Sequence, residues 1–293
     1  MVGFRKRKIG LPQIIIFIIV VIWVAIWLFP LWNVFVSSTK SIKGYLTSRP
    51  WSFSFKENPI VQFYENIIRG LEGTQRGIGI APAFANSMMY GVVATIVAII
   101  SASLAAFAVV CLQMKGRFVF FIILFAGTLF PIQIYLIPLF TLFQRTALYD
   151  TKLALTLVYT AICIPFCVFL LRNWYLDVPQ EIVEASKIDG AGELQTYLHI
   201  FLPLSTPPFV TLFLFQFTWV WNDFVFGITF ARSKTTRPIM ALLAGLQSMY
   251  SNVGIPAVLA STILASLPTI ILLVIFRNNF FKGLAMQYGG SGK

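Results

Sequence analysis

Glu184, Ala185, Ser186, Asp189 and Gly190 set charged and small residues side by side in a chain otherwise poor in acid. Five of the ten carboxylates, Asp177, Glu181, Glu184, Asp189 and Glu193, fall within the single segment 176–204. Carboxylates gathered in this way can meet basic groups on an aqueous partner, and small residues beside them let that partner come close. A second set lies in the apolar run that follows. Gln216 and Asp223 stand seven apart, a one-face helical spacing, with Trp219 between them and Asn222 beside the stripe. An aromatic face with an amide and a carboxylate suits a polyhydroxylated solute, by stacking and hydrogen bonding. Polar groups inside an apolar run suit hydrogen bonds between helices equally well. Gln133, next to Pro131, is a further polar residue of this kind.

No residue is assigned a catalytic role and no metal site is expected. The chain has no G-x-x-x-x-G-K-[ST] phosphate loop, so nucleotide chemistry has no home in it. Cys111, Cys163 and Cys167 all fall in apolar runs. The last two share a helical face, but no other ligand is near in sequence, and buried cysteine behaves as a small hydrophobe. The one histidine, His199, reads as a solvated or interface residue.

The elements that must position these residues follow from composition. The 293 residues are 58% hydrophobic and only 11% charged, where a soluble domain has about 25% charged residues. Six apolar runs, about 12–36, 85–112, 118–143, 153–175, 205–231 and 256–277, are long enough to cross a bilayer. Period-two alternation is absent and the runs are too long for strands, so the fold class is an all-α integral membrane protein with six transmembrane helices. One membrane domain, 12–277, is expected, with tails at 1–11 and 278–293. The basic cluster Arg5–Lys8 resembles a signal n-region, but the apolar stretch behind it is too long for a signal peptide. We read it as an uncleaved anchor with its N-terminus inside. Lys115 and Arg117, in a very short loop, favour the same orientation. The formal charge of +12 suits anionic membrane lipid. No segment outside the runs is large enough to bind nucleic acid.

Between the runs, Ile60, Phe63, Tyr64, Ile67, Ile68 and Leu71 predict a short amphipathic helix in the external segment 37–84. Gly70, Gly73, Gly77 and Gly79 follow it as a flexible stretch. Pro131 and Pro138 are expected to interrupt the third run and Pro165 the fourth. In segment 176–204, Asp177 is expected to cap a helix with Pro179 in its first turn, running to Ile188 and ending at Asp189-Gly190. A second helix, Glu193–Phe201, carries Leu194, Tyr197, Leu198 and Phe201 on one side, and Pro203 ends it. The product is a helix–Gly–helix loop tied at both ends to spanning helices.

Glu184-Ala185-Ser186-Lys187-Ile188-Asp189-Gly190-Ala191, followed by Ile200, Leu202 and Pro203, resembles the EAA signature E-A-A-x-x-D-G-A…I-x-L-P of ABC importer permeases. It departs only at Ser186, a small-for-small exchange. From about residue 84 onward the chain is similar to the carbohydrate-uptake class, in particular the G-type maltose permease branch. Asn86-Ser87, Ala105-Ala106-Phe107-Ala108, Gly116-Arg117, Ile137-Pro138-Leu139, Leu170-Leu171-Arg172 and Trp221-Asn222-Asp223-Phe224 carry this likeness. The tail Phe280-Phe281-Lys282-Gly283-Leu284 echoes the family's ending, but Ala285-Met286-Gln287-Tyr288-Gly289 departs from it. The resemblance implies a type I importer bundle, multi-pass in a bacterial or archaeal cell membrane, with both termini and the 176–204 loop cytoplasmic. It implies a second homologous permease, a dimer of ATPase subunits that binds ATP and Mg²⁺, and an extracytoplasmic solute-binding protein. Glu184, Ala185, Ser186, Asp189 and Gly190 would then couple to the ATPase, and Gln216, Trp219, Asn222 and Asp223 would line a substrate pathway for a sugar, expected to be an oligosaccharide. Other solutes, such as glycerol phosphate or a uronate glycan, are the alternative, since the external segments carry 11 basic against 4 acidic residues. A stand-alone secondary transporter is a third reading, and would need coupling-ion carboxylates that only Asp223 approaches.

Overall fold

The computed structural model describes residues 11–54, 57–72, 79–112, 115–246 and 254–289. The Arg5–Lys8 cluster, Gly73 and Gly77 lie outside the described residues. All regular structure among the described residues is helical. In chain order the elements are α1 (Leu11–Ser38), α2 (Ile42–Thr47), α3 (Pro59–Glu72), α4 (Ile80–Cys111) and α5 (Arg117–Ala126). A 3-10 turn (Ile132–Tyr135), α6 (Leu136–Arg145), α7 (Lys152–Leu176), α8 (Gln180–Ile188) and α9 (Glu193–Thr196) follow. A π turn (Tyr197–Phe201), α10 (Leu202–Leu204), α11 (Thr206–Asn222), α12 (Val225–Phe230), α13 (Ile239–Leu246) and α14 (Ile255–Gly289) complete the chain.

Two compact units divide these elements, one from residues 1–77 and 246–264, the other from 78–245 and 265–293. In the first, α1 is apolar from end to end and exposed along its length until Val36. Its C-terminal turn is tied down by polar contacts. Asn66 of α3 donates from Nδ2 to the carbonyls of Ser38 (2.9 Å) and Lys40 (2.8 Å). The Lys40 side chain is fully buried, and its Nζ donates to Arg49 O at 2.7 Å. Ser41 caps α2, and Glu57 in turn accepts from the backbone N–H of Ser41 at 3.0 Å. α3 is the amphipathic helix predicted from its spacing.

In the second unit α4 packs along α7, and α11 packs on α4. Ala94, Ala98, Ala102 and Ala106, one turn apart, are all fully buried. Such a stripe of small side chains lets two backbones approach closely where no hydrophobic force separates lipid from protein. Gly91 extends the seam toward α11: a Cβ there would sit 2.8 Å from the Phe217 ring. Tyr159, Leu155 and Cys163 of α7 fill one half of the core, and Cys167, Leu171 and Tyr175 the other.

Among the described residues, four helices, α1, α4, α7 and the 255–277 part of α14, are long and apolar enough to span a membrane by themselves. A fifth is reached if 193–204 and α11, bent by 68° at Ser205, count as one. The third apolar run is not continuous. α5 ends at Ala126, and the chain re-enters helix only after Pro131, whose ring holds φ at -58° and whose ψ of 122° is extended before the 3-10 turn. Pro138 does not break anything, because it sits in the first turn of α6, where its missing N–H is not needed. Pro165 also does not interrupt its helix, since α7 continues through it. The fifth run breaks at Asp223-Phe224, and α14 carries the expected C-terminal tail on as helix to Gly289.

At the opposite end of this unit from the 176–204 loop, Asp150 holds two connections together. It sits between α6 and α7 with φ of 60°, a conformation Asp tolerates better than most residues. Its carboxylate accepts from the backbone N–H groups of Arg232 (2.8 Å) and Ser233 (3.0 Å) and from the hydroxyls of Ser233 and Thr236. Tyr90 Oη donates to Thr236 O (2.7 Å) and Asn86 Nδ2 to Arg237 O (3.1 Å), which fastens the same loop to α4. Burial by itself would raise the pKa of Asp150. The hydrogen bonds from Thr236, Ser233 and Arg232 outweigh it and hold the pKa below the ordinary value. A lowered folded pKa means stability that is complete above about pH 4, the unfolded range, and lost as pH falls through the folded value. Asp150→Asn should therefore cost about 1–2 kcal/mol at neutral pH. Thermal melts in detergent should show the gap to the wild type closing below about pH 4; a gap independent of pH would show that the charge is not involved.

Candidate functional site

α8 begins one residue after Pro179, not at a cap supplied by Asp177. Asp177 is the C-cap of α7, and no side chain caps α8. The preceding helix runs too far for Asp177 to turn forward. The other end of α8 is as expected. Gly190 has φ of 77°, Gly190 N–H donates to Lys187 O (3.1 Å), and Ala191 N–H donates back to Ser186 O (2.9 Å). This is the Schellman arrangement, in which a left-handed residue after the helix satisfies its last carbonyls. Gly192 then begins α9, its N–H donating to Gln195 Oε1 at 3.0 Å.

Ser186 is the buried member of the first set. Its hydroxyl donates to Val183 O (2.8 Å) and meets Thr196 Oγ1 at 3.2 Å, so it links α8 to α9. Glu184, Ala185, Asp189 and Gly190 are exposed on the outer face. Ile188 and Leu194, 86% and 65% exposed, stand beside them as apolar contacts with nothing on them. The expected stripe on the second helix is divided. Tyr197 and Phe201 are buried while Leu194 and Leu198 are exposed, and helix continues through Pro203 to Leu204.

Tyr197 and Phe201 reach the core through an aromatic group that sequence reasoning missed. Phe201 lies edge-on to Tyr175 of α7 and to Phe107 of α4, ring centroids 5.0 Å apart in each case. Tyr197 packs on Phe107 at 5.3 Å. Hydroxyls run through the same place. Ser103 of α4 bonds Tyr175 Oη (2.7 Å) and Tyr197 Oη (2.9 Å), and Ser205 Oγ donates to Tyr175 Oη at 2.9 Å. Four segments therefore share one polar joint at the Ser205 bend. Their one signal in the sequence was the presence of tyrosine and serine in apolar helices, where an unpartnered hydroxyl is costly.

The second set is only partly brought together. Trp219, Asn222 and Asp223 line a cavity of about 680 Å³ with Phe215, Thr218 and Thr269. Gln216 does not line it; it is buried, 7% exposed. A shared face would need helix through Asp223, but α11 ends at Asn222 and Asp223 is extended, with ψ of 132°. The carboxylate turns forward instead and accepts from Gly227 N–H (3.1 Å) at the start of α12 and from Tyr159 Oη (2.8 Å) of α7. Asn222 Nδ2 donates to Thr218 O (2.8 Å) and stays exposed. Trp221, its neighbour, is structural: it is 1% exposed and its Nε1 donates to Ala265 O at 2.9 Å.

Residues 98–285 match the family described as binding-protein-dependent transport system inner membrane component. The osmoprotective compounds uptake permease protein GgtD of Synechocystis sp. is 32% identical over 205 residues, 70% of this chain and 68% of that protein. The arabinooligosaccharides transport system permease protein AraQ of Halalkalibacterium halodurans is 30% identical over 203 residues, 69% of this chain and 72% of that protein. Among solved structures, a bacterial ABC transporter involved in the import of the acidic polysaccharide alginate superposes with a TM-score of 0.77 at 21% identity, covering 95% of this chain and 99% of that one. At that identity the likeness establishes the fold alone.

A Cβ at Gly190 would meet nothing within 4 Å, so a substitution there is strained by φ alone. Gly190→Ala should weaken the end of α8 by about 1 kcal/mol, and Gly190→Asn by less, because Asn enters the left-handed region more readily. Hydrogen exchange at the Ala191 amide, which closes the turn, reads both. Equal losses would mean that something other than backbone conformation sets the cost.

Proposed function

We propose, from the premise that the chain belongs to the family of binding-protein-dependent transport system inner membrane components, that it is the translocation-pathway subunit of an ATP-driven sugar importer. AraQ, named for arabinooligosaccharide transport, is a relative that points to an oligosaccharide. Partners of this reading are a second homologous permease, two ATPase subunits that bind ATP and Mg²⁺, and an extracytoplasmic binding protein. Six crossings follow if α5 with α6 makes one broken span and α11 with α12 another, which leaves both termini and the 176–204 loop in the cytoplasm.

The observation that carries the reading is the exposed face of α8. Glu184, Ala185, Asp189 and Gly190 present charge and small surface with Ile188 and Leu194 bare beside them, while the back of the loop is bonded into α4 and α7. A helix with those two faces suits docking in a groove of the ATPase and passing its movement to the spans. Trp219, Asn222 and Asp223 supply one wall of the pathway in this reading, with Gln216 left as a packing residue. An anionic glycan is the second reading, supported by the excess of basic residues in the external segments.

Single cysteines at Ser54 and Gln195, in a cysteine-free background, test the orientation. An impermeant thiol reagent on intact cells should label the first and spare the second; equal labelling, or labelling at Gln195 alone, sinks the topology. Coupling is tested by Gly190→Asp and Glu184→Gln in the assembled importer. Gly190→Asp places both strain and a charge on the docking face, and should leave a membrane-inserted permease that loses ATPase retention or sugar uptake. Glu184→Gln removes only charge and should weaken the contact less. Normal uptake by Gly190→Asp would reduce the loop to a connector.

A further inference from the structure

We propose that the cleft between the ends of α4 and α7 and the flank of α8 that carries Val183, Glu184 and Lys187 is a binding site for the headgroup phosphate of an anionic phospholipid. The cleft has a volume of about 910 Å³. Four cations line it, Lys115, Arg117, Arg172 and Lys187, against one carboxylate, Glu184. The ion pair found among the described residues, Arg69 with Glu65, is elsewhere, and none of the four cations has a carboxylate within salt-bridge distance. Cations gathered around one space repel each other, and an anion between them offsets that cost.

Arg172 is the most built of the four. Its guanidinium carbon lies 4.4 Å from the centroid of the Phe121 ring. Its Nε is buried and has no hydrogen-bond partner, and its contact with Asn173 Oδ1 is long, at 3.5 Å. A guanidinium seated over an aromatic ring and lining the cleft can offer its remaining N–H donors to the oxygens of a phosphate. Lys115 and Arg117 flank Gly116, whose φ of 84° makes the tight turn between α4 and α5. Lys187 comes from the α8 side.

The rest of the lining identifies the source of the phosphate. Val109, Val110, Phe118 and Leu176 give the cleft an apolar wall. These residues are at the ends of apolar helices, the depth at which headgroup and acyl chain meet. Basic pockets between spanning helices bind anionic lipid headgroups at this depth. A soluble phosphate would gain nothing from the apolar wall. Glu184, the one acid in the cleft, belongs to α8, so an occupied site would bear directly on the loop.

The test uses the full-length chain reconstituted in phosphatidylcholine vesicles with a minor fraction of tail-labelled phosphatidylglycerol, then extracted in neutral detergent. The wild type should retain phosphatidylglycerol several-fold over its share of the bilayer. Arg172→Gln with Lys187→Gln should bring retention down to that share. Arg145→Gln with Lys234→Gln, which removes the same charge from exposed positions elsewhere, should change nothing. If the first pair fails to fold, Lys115→Gln with Arg117→Gln, on the exposed turn, carries the same expectation. Retention unchanged in the cleft variants overturns the proposal. Displacement of the lipid by millimolar inorganic phosphate would assign the site to a free anion and overturn the lipid. Unchanged lipid retention together with loss of ATPase co-purification would assign the cleft to an acidic protein surface and overturn it as well.

Discussion

Wherever a helix breaks inside an apolar chain, its freed N–H and C=O groups must find partners without help from water. That requirement governs this structure more than any single contact does. Asp223 turns away from α11 to bond the start of α12 at Gly227, and Tyr159 of α7 completes its coordination. Ser205 at the 68° bend returns its N–H to Phe201 O and Leu202 O and sends its hydroxyl to Tyr175. Both of these breaks are thus also points where helices are fastened together, Asp223 to α7 and Ser205 to Tyr175 of the same helix.

Between those points the packing leaves little freedom. The alanine stripe from Ala94 to Ala106 sets α4 against the same unit's core with no side chain long enough to rearrange. Interiors packed in this way transmit displacement instead of absorbing it. The aromatic joint of Phe107, Tyr175, Tyr197 and Phe201 lies at the foot of that seam and belongs to α4, α7 and the π turn at once. A push on the 176–204 loop therefore arrives at two long helices together.

Much of this was legible in the residues themselves. Length and hydropathy located α1, α4, α7 and α14, and the Asp189-Gly190 pair located a helix end with positive φ, because only local chemistry was at stake. The failures were of one kind. Asp177 has the type of a cap, but the preceding helix consumed it. Gln216 has the spacing of a pathway residue relative to Asp223, but the helix that would align them ends at Asn222. Pro138 and Pro165 have the type of breakers, but position within the helix and tertiary packing decided otherwise. In each case a neighbouring element, not the residue, fixed the outcome. The hydroxyl joint was hidden for the same reason, since its members are up to 102 positions apart along the chain: Ser103 to Ser205.

The bend at Ser205 has a mechanical consequence. The arm from Glu193 to Leu204 is helical, and at 1.5 Å per residue its length is roughly 18 Å. A rotation of about 10° at its base moves its tip by roughly 3 Å, close to the height of a side-chain contact. The arm is not free to pivot alone, because Tyr197 and Phe201 grip it a third and two thirds of the way along. Its base lies inside the bundle, and the arm cannot turn there without displacing the rings of Phe107 and Tyr175, which belong to α4 and α7.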